Sequence, residues 1–189
     1  MRAVFSQYAW LAPLFPLAAF VVLTTLSRNL KRTGAFIAIV ASLASLALSL
    51  LIAFERIGTG AEDYSGGFAW LTIGSVTLSA GFEVTNLTAL MLVIVSLVAF
   101  LVNLYSLGYM RDDERKSVFY AYLSLFACSM LGLVLADNLL LLYIGWELVG
   151  VCSFLLIGFW FHKPEARAAA KKAFIVTRVG DLGLLIAIL

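Results

Sequence analysis

Apolar residues run through this chain in six long blocks, not in the narrow amphipathic stripes that a soluble core requires. A bilayer's hydrocarbon core takes roughly 20 residues of helix per crossing. The blocks at 8–27, 34–54, 85–107, 117–136, 139–160 and 168–189 all reach that length. The pattern therefore predicts an all-α, polytopic transmembrane helix bundle of about six spans. One connection is long, from Glu55 to Glu83, and is rich in Gly, Ser and Thr. Its stretch FAWLTIGSVTLSA alternates enough to predict a short β-hairpin on the membrane surface. The other links are tight, and Asp137-Asn138 alone divides the fourth block from the fifth. Pro13 and Pro16 interrupt the first block and more spans follow directly, so it reads as a membrane helix, not a cleaved signal peptide. The last run, DLGLLIAIL, stops in apolar residues without a Gly cap or a polar turn, as expected of a piece of a longer fold.

Composition narrows the class further. With 63% hydrophobic and 13% charged residues and a mean hydropathy of +1.03, the chain lacks the polar shell of a soluble domain. The net charge of +2 says little about partners, and no basic tract interleaved with aromatics points to nucleic acid. Placement of the charges is more telling. Arg28, Lys31, Arg32, Arg111, Arg115, Lys116, Lys163, Arg167, Lys171 and Lys172 follow the odd-numbered spans, whereas the opposite side holds only Arg2 and Arg56. Lys and Arg accumulate on the cytoplasmic side, which predicts an N-terminus outside and the loop at 161–167 inside. Cys128 and Cys152 lie in apolar helical runs and match no zinc or iron–sulfur spacing.

Candidate chemistry sits inside the apolar blocks. Glu147 falls about 9 residues, or roughly 13 Å, into the fifth span, near the midplane. A central acidic residue costs about 2.5–3.5 kcal/mol to insert, which the surrounding Leu, Ile, Val and Phe offset. Ionisable groups at such depth mark proton or ion pathways or are locked in interhelical ion pairs. Tyr143 lies at i−4, where its hydroxyl can reach the carboxyl, and Gly150 at i+3 leaves room beside it. In the sixth span, KKAFIVTRVGDLGLL, Arg178 and Asp181 share a face at i, i+3, serving either as a self-neutralising pair or as part of a relay. Lys171 and Lys172 stand at that span's cytoplasmic end as further proton-pathway candidates. Asn103, Tyr105, Tyr120 and Tyr122 are weaker candidates, and His162 reads as a solvated loop residue. No Rossmann, Walker, metal-ligand or nucleophile-triad pattern is present.

The segment VLADNLLLLYIGWELVGVCSFLLIGFW followed by AAAKKAFIVTRVGDLG closely resembles the large antiporter-like membrane subunit of respiratory complex I, subunit L or chain 5. NLTALMLVIVSLVAFLVNLYSLGYMRDD and FYAYLSLFACSMLGLVLADN fit as well, so the resemblance is specific from Asn86 to Leu189 and looser before. It implies a part of a larger fold of two inverted repeats, with residues 1–84 supplying two helices and an extracytoplasmic loop. Residues 85–189 would begin the proton-translocating core. It implies that Glu147 is a proton site pairing with a lysine on a broken seventh helix, and that Arg178 and Asp181 form the family's charged motif. Asn86 and Asn103 depart from the family, where Asp and His are common at those positions. The implied function is proton translocation in an NADH–quinone oxidoreductase, as part of a translocase whose electron transfer occurs elsewhere. Cation/proton antiporter and bicarbonate-uptake subunits share the same core and provide the alternative. The resemblance implies no cofactor in this chain, with NADH, flavin, iron–sulfur centres and quinone in partner subunits. The implied partners are other membrane subunits, the lipid bilayer and protons, in a bacterial cytoplasmic membrane more readily than a mitochondrial inner one.

The charge bias generates a direct test. Single cysteines at Gly60 and Glu165, in a background without Cys128 and Cys152, are expected to react with an impermeant maleimide from opposite sides of the membrane. Reaction from one side would remove the six-span arrangement.

Overall fold

The computed structural model describes residues 4–26, 33–60, 62–73 and 76–188. Arg2, Arg28, Lys31 and Arg32, used above for orientation, lie outside the described residues. A single 3₁₀ turn, Ser6–Tyr8, leads into α1 (Leu11–Thr25), α2 (Gly34–Thr59), a hairpin of β1 (Tyr64–Ile73) and β2 (Val76–Val84), then α3 (Asn86–Tyr109), α4 (Lys116–Leu135), α5 (Leu139–Ile157) and α6 (Pro164–Ile188). The expected helical bundle is present, with the hairpin where the alternating stretch placed it, although the two strands carry the hairpin beyond that stretch at both ends, from Tyr64 to Val84. The segment Ser6–Thr25, made of the 3₁₀ turn and α1, and helices α2 to α5 are apolar and long enough to cross a membrane. α6 has the length, 25 residues, but Lys171, Lys172, Arg178 and Asp181 interrupt its apolar surface.

α4 is the hub, packing against α1, α2, α3 and α5. Its buried face reads Ser117, Tyr120, Ala121, Ser124, Ala127, Leu131 and Leu135, spaced three or four apart and mostly small. Lipid tails are as apolar as Leu, so helices in a bilayer gain from close backbone approach, which small residues permit. Gly145 of α5 shows the limit: a Cβ there would sit 3.0 Å from Leu133 Cα of α4. That approach fixes how α5 faces the bundle.

Pro16 within α1 has no N–H to donate to the carbonyl of Ala12 one turn earlier. In hydrocarbon that carbonyl needs another donor. Ser45 of α2, 1% exposed, supplies it through an Oγ–H···O bond of 2.7 Å to Ala12 O. A helix defect and a serine in a neighbouring helix are thus one feature.

Each end of the bundle is tied by charged groups. At the hairpin end, the Glu55 carboxylate accepts from the backbone N–H groups of Val4, Phe5 and Ser6 and from Ser6 Oγ, capping the N-terminal helical turn. Arg56, 2% exposed, donates to Asn86 Oδ1 at 3.2 Å, to the Glu62 carbonyl and to Asp63, joining the end of α2 to the hairpin and the start of α3. This structural role accounts for a basic residue on the side the charge pattern leaves poor in them. The hairpin rests on the α4–α5 junction: Asn138 donates to Ser79 O at 2.8 Å and, through Oδ1, caps α5 at Leu141 N (2.9 Å). Gly81 lets the strands approach closely, because a Cβ there would sit 2.9 Å from the Gly66 carbonyl oxygen and would also displace the Asp137 carboxylate.

At the opposite end, the Arg115 guanidinium packs on the rings of Phe159 and Phe161, at 4.7 and 4.6 Å, and donates to Phe159 O. Burial acts to raise the pKa of Asp113, but hydrogen bonds from Trp160 Nε1 and Arg115 N–H and the charge on Arg115 outweigh it, leaving the carboxyl below its ordinary value. The carboxylate is therefore ionised at neutral pH and keeps the α3–α4 link bound to the α5–α6 link. His162 is exposed at the edge of this cluster, 3.4 Å from Arg115 Nη2.

Ser45→Ala is expected to lower the unfolding free energy by about 1–3 kcal/mol, the cost of stranding a buried carbonyl. Adding Pro16→Ala restores an N–H for Ala12 and should recover most of that loss. Equal losses from Ser45→Ala with and without Pro16 would contradict the linkage.

Candidate functional site at the α5–α6 seam

α5 and α6 run antiparallel, with Phe154 against Phe174 at 5.3 Å between ring centroids. This register places the middle of α5 beside the middle of α6. Glu147 accepts a hydrogen bond from Tyr143 Oη on Oε1 at 2.7 Å, the i−4 contact expected from sequence. Its other oxygen, Oε2, is ion-paired with Arg178. Arg178 also lies 3.9 Å from Asp181 Oδ2, one turn away on its own helix. Asp181, 4% exposed, takes a 2.8 Å hydrogen bond from Trp146 Nε1.

The guanidinium is supported from below by the Phe174 ring, 4.7 Å from Cζ. Beside the cluster the helices are bare, with no atom within 4 Å of where a Cβ would stand at Gly150, Gly180 or Gly183. The room expected at Gly150 is there. Ser153 bonds its own helix at Val149 O instead of reaching the carboxyl.

The arrangement brings Tyr143, Glu147, Arg178 and Asp181 together and adds Trp146 as the donor that orients Asp181. It does not bring Lys171 or Lys172 to the cluster. Both are exposed, and Lys171 stands seven residues before Arg178, about 10 Å along the helix. The i, i+3 spacing pairs Arg178 with Asp181, and the family resemblance places the glutamate's cation on a helix beyond Leu189. In the structure that cation is Arg178, reaching across from α6. The one sequence signal for Trp146 was an indole N–H at membrane depth, which must find an acceptor there.

The charges do not cancel. With all groups ionised the cluster holds two carboxylates and one guanidinium, an excess negative charge in a medium that solvates it poorly. One added proton balances it. Among the described residues, no three His, Cys, Asp or Glu side chains gather as a metal site.

Comparison with known proteins places this chain in a family. The family model "NADH-Ubiquinone oxidoreductase (complex I), chain 5 N-terminus" matches residues 70–120, and "NADH:quinone oxidoreductase/Mrp antiporter, TM" matches residues 136–189. The chain is 51% identical over 191 residues to the chloroplastic NAD(P)H-quinone oxidoreductase subunit 5 of Mesostigma viride, covering 97% of this chain and 29% of that protein. It is 46% identical over 190 residues to NAD(P)H-quinone oxidoreductase chain 5 of Synechocystis, covering 97% of this chain and 28% of that one. The chain thus spans under a third of the length of these relatives. Among solved structures it superposes on the Mrp complex of Dietzia with a TM-score of 0.77 and 26% identity, covering 95% of this chain and 19% of that one. It shares its fold with an archaeal membrane-bound sulfane sulfur reductase at a TM-score of 0.79 and 17% identity, covering 95% and 36%. The chain is a multi-pass membrane protein, and it belongs to the family of antiporter-like membrane subunits that includes complex I chain 5.

Proposed function

We propose that the chain forms part of a proton-translocating membrane subunit of an NAD(P)H–quinone oxidoreductase, with Glu147 as its proton-loading group. The observation that carries this reading is the three-charge cluster in which Arg178 is shared between Glu147 and Asp181. While the guanidinium lies against Glu147, the carboxylate form is favoured. When it moves toward Asp181, Glu147 loses its counter-charge and takes up a proton. At ~4 Å and an effective dielectric near 20, one such charge is worth about 4 kcal/mol.

Tyr143 holds Oε1 in either state, since its hydroxyl can donate to a carboxylate or a carbonyl. Trp146 holds Asp181 ready to receive the guanidinium. Lys171 and Lys172 would feed the site from the end of α6. Electron transfer through NADH, flavin, iron–sulfur centres and quinone would take place in partner subunits. The outside N-terminus and a bacterial-type membrane belong to the same proposal, supported by the loop charges and by the cyanobacterial and chloroplastic relatives. A second reading, a cation/proton antiporter subunit, draws on the likeness to the Dietzia Mrp complex, and sodium-driven proton movement in vesicles would favour it.

The cluster makes the two variants unequal. Glu147→Gln leaves Arg178 close to Asp181, so assembly of the complex is expected to stay near wild type while proton translocation per electron falls to background. Arg178→Gln leaves two carboxyls without their counter-charge, so the yield of assembled complex should fall below wild type. Adding Glu147→Gln to that variant should recover part of it. Normal translocation in Glu147→Gln, measured beside the yield of complex, would overturn the proton-loading role.

A further inference from the structure

A second polar feature lies in the bundle, away from the α5–α6 seam. α3 and α4 part to leave a cavity of about 350 Å³, lined by Met91, Ile94, Val98 and Asn103 of α3 and by Phe126 and Met130 of α4, among others. Asn103 is 2% exposed. Its Nδ2 donates to Ala99 O at 2.9 Å, which fixes the amide, because a flipped group would set Oδ1 against that carbonyl oxygen. Oδ1 is then the one buried side-chain polar atom, among the described residues, that accepts no hydrogen bond from the protein. The Tyr120 hydroxyl is directed to the Asn103 backbone carbonyl at 3.3 Å. An acceptor with no donor in an apolar membrane interior is costly, and native proteins rarely keep one.

We infer that this cavity binds a neutral bilayer amphiphile with a hydrocarbon body and one hydroxyl, the hydroxyl donating to Asn103 Oδ1. No charged side chain lines the cavity, so an ionised headgroup has no counter-charge there. The polar atom stands at one end of an otherwise apolar trough. From Asn103 to Met91 is about 18 Å along α3, enough for a single hydrocarbon chain laid beside the helix. Asn103 lies six residues from the end of α3, so the hydroxyl would sit near the membrane surface and the chain would point inward. Ile94, Val98 and Val102 are 45%, 53% and 39% exposed and leave the trough open along its side, the entry that a membrane-dissolved molecule would use.

The test uses the full-length protein in its native membranes and two photoactivatable probes, a diazirine-bearing long-chain alcohol and its methyl ether. The alcohol is expected to label peptides containing Met91–Asn103 and Leu123–Met130 about three- to tenfold more than the ether, the worth of one hydrogen bond. Asn103→Leu should remove the preference while leaving labelling by the ether. Val98→Trp should fill the trough and remove labelling by both, with Asn103 in place. Equal labelling by alcohol and ether in the unaltered protein would overturn the inference. So would the absence of labelling in those peptides, which would mean that another helix or a water molecule serves Asn103.

Discussion

Hydrocarbon offers no hydrogen-bond partner, so every polar group between the two ends of this bundle must be satisfied by protein or by something that enters with it. This constraint organises the whole molecule. It recruits Ser45 to the carbonyl that Pro16 frees, directs Asn103 Nδ2 to its own helix, and draws Arg178 across the α5–α6 seam to Glu147. The same constraint makes the exceptions informative. Among the described residues two places stand out: the α5–α6 cluster, where two carboxyls share one guanidinium, and Asn103 Oδ1, which accepts no hydrogen bond from the protein.

The packing explains why the cluster can be mobile while its setting is rigid. α5 is held against α4 at Gly145, its start is capped by Asn138, and the hairpin presses on that cap through Ser79. α6 packs principally on α5, and large apolar residues such as Ile175, Val176, Val179 and Ile186 are exposed on its outer side. A guanidinium on a long side chain, resting on Phe174 and placed between two carboxylates, can change partners with little movement of backbone. That is the requirement for a group that alternately stabilises and releases a neighbouring charge.

Much of this was legible in the chain. Length and hydropathy located every helix to within a few residues, because the bilayer sets a single length scale. The alternating stretch between Glu55 and Glu83 located the hairpin. The partner of Glu147 was not legible. Spacing places Arg178 and Asp181 on one face of α6, but which face turns toward α5 depends on the rotation of both helices, and Gly145 and the Phe154–Phe174 stack set that through tertiary contact. The pairing of Ser45 with Ala12 was hidden for the same reason: a serine in an apolar run gives no sign of which carbonyl it serves. Lys171 and Lys172 stand where the sequence puts them, at the end of α6 and about 10 Å along the helix from Arg178.

The central claim is that Glu147 changes protonation state during turnover because Arg178 changes partner. Infrared difference spectra of the assembled complex test it most directly, with the Glu147 carboxyl bands assigned by their loss in Glu147→Gln. The account predicts a protonated-carboxyl band from Glu147 that appears and decays with each turnover, in antiphase with its carboxylate band. A Glu147 signal that keeps one ionisation state throughout turnover would contradict the account and leave the pair with Arg178 as a structural tie alone.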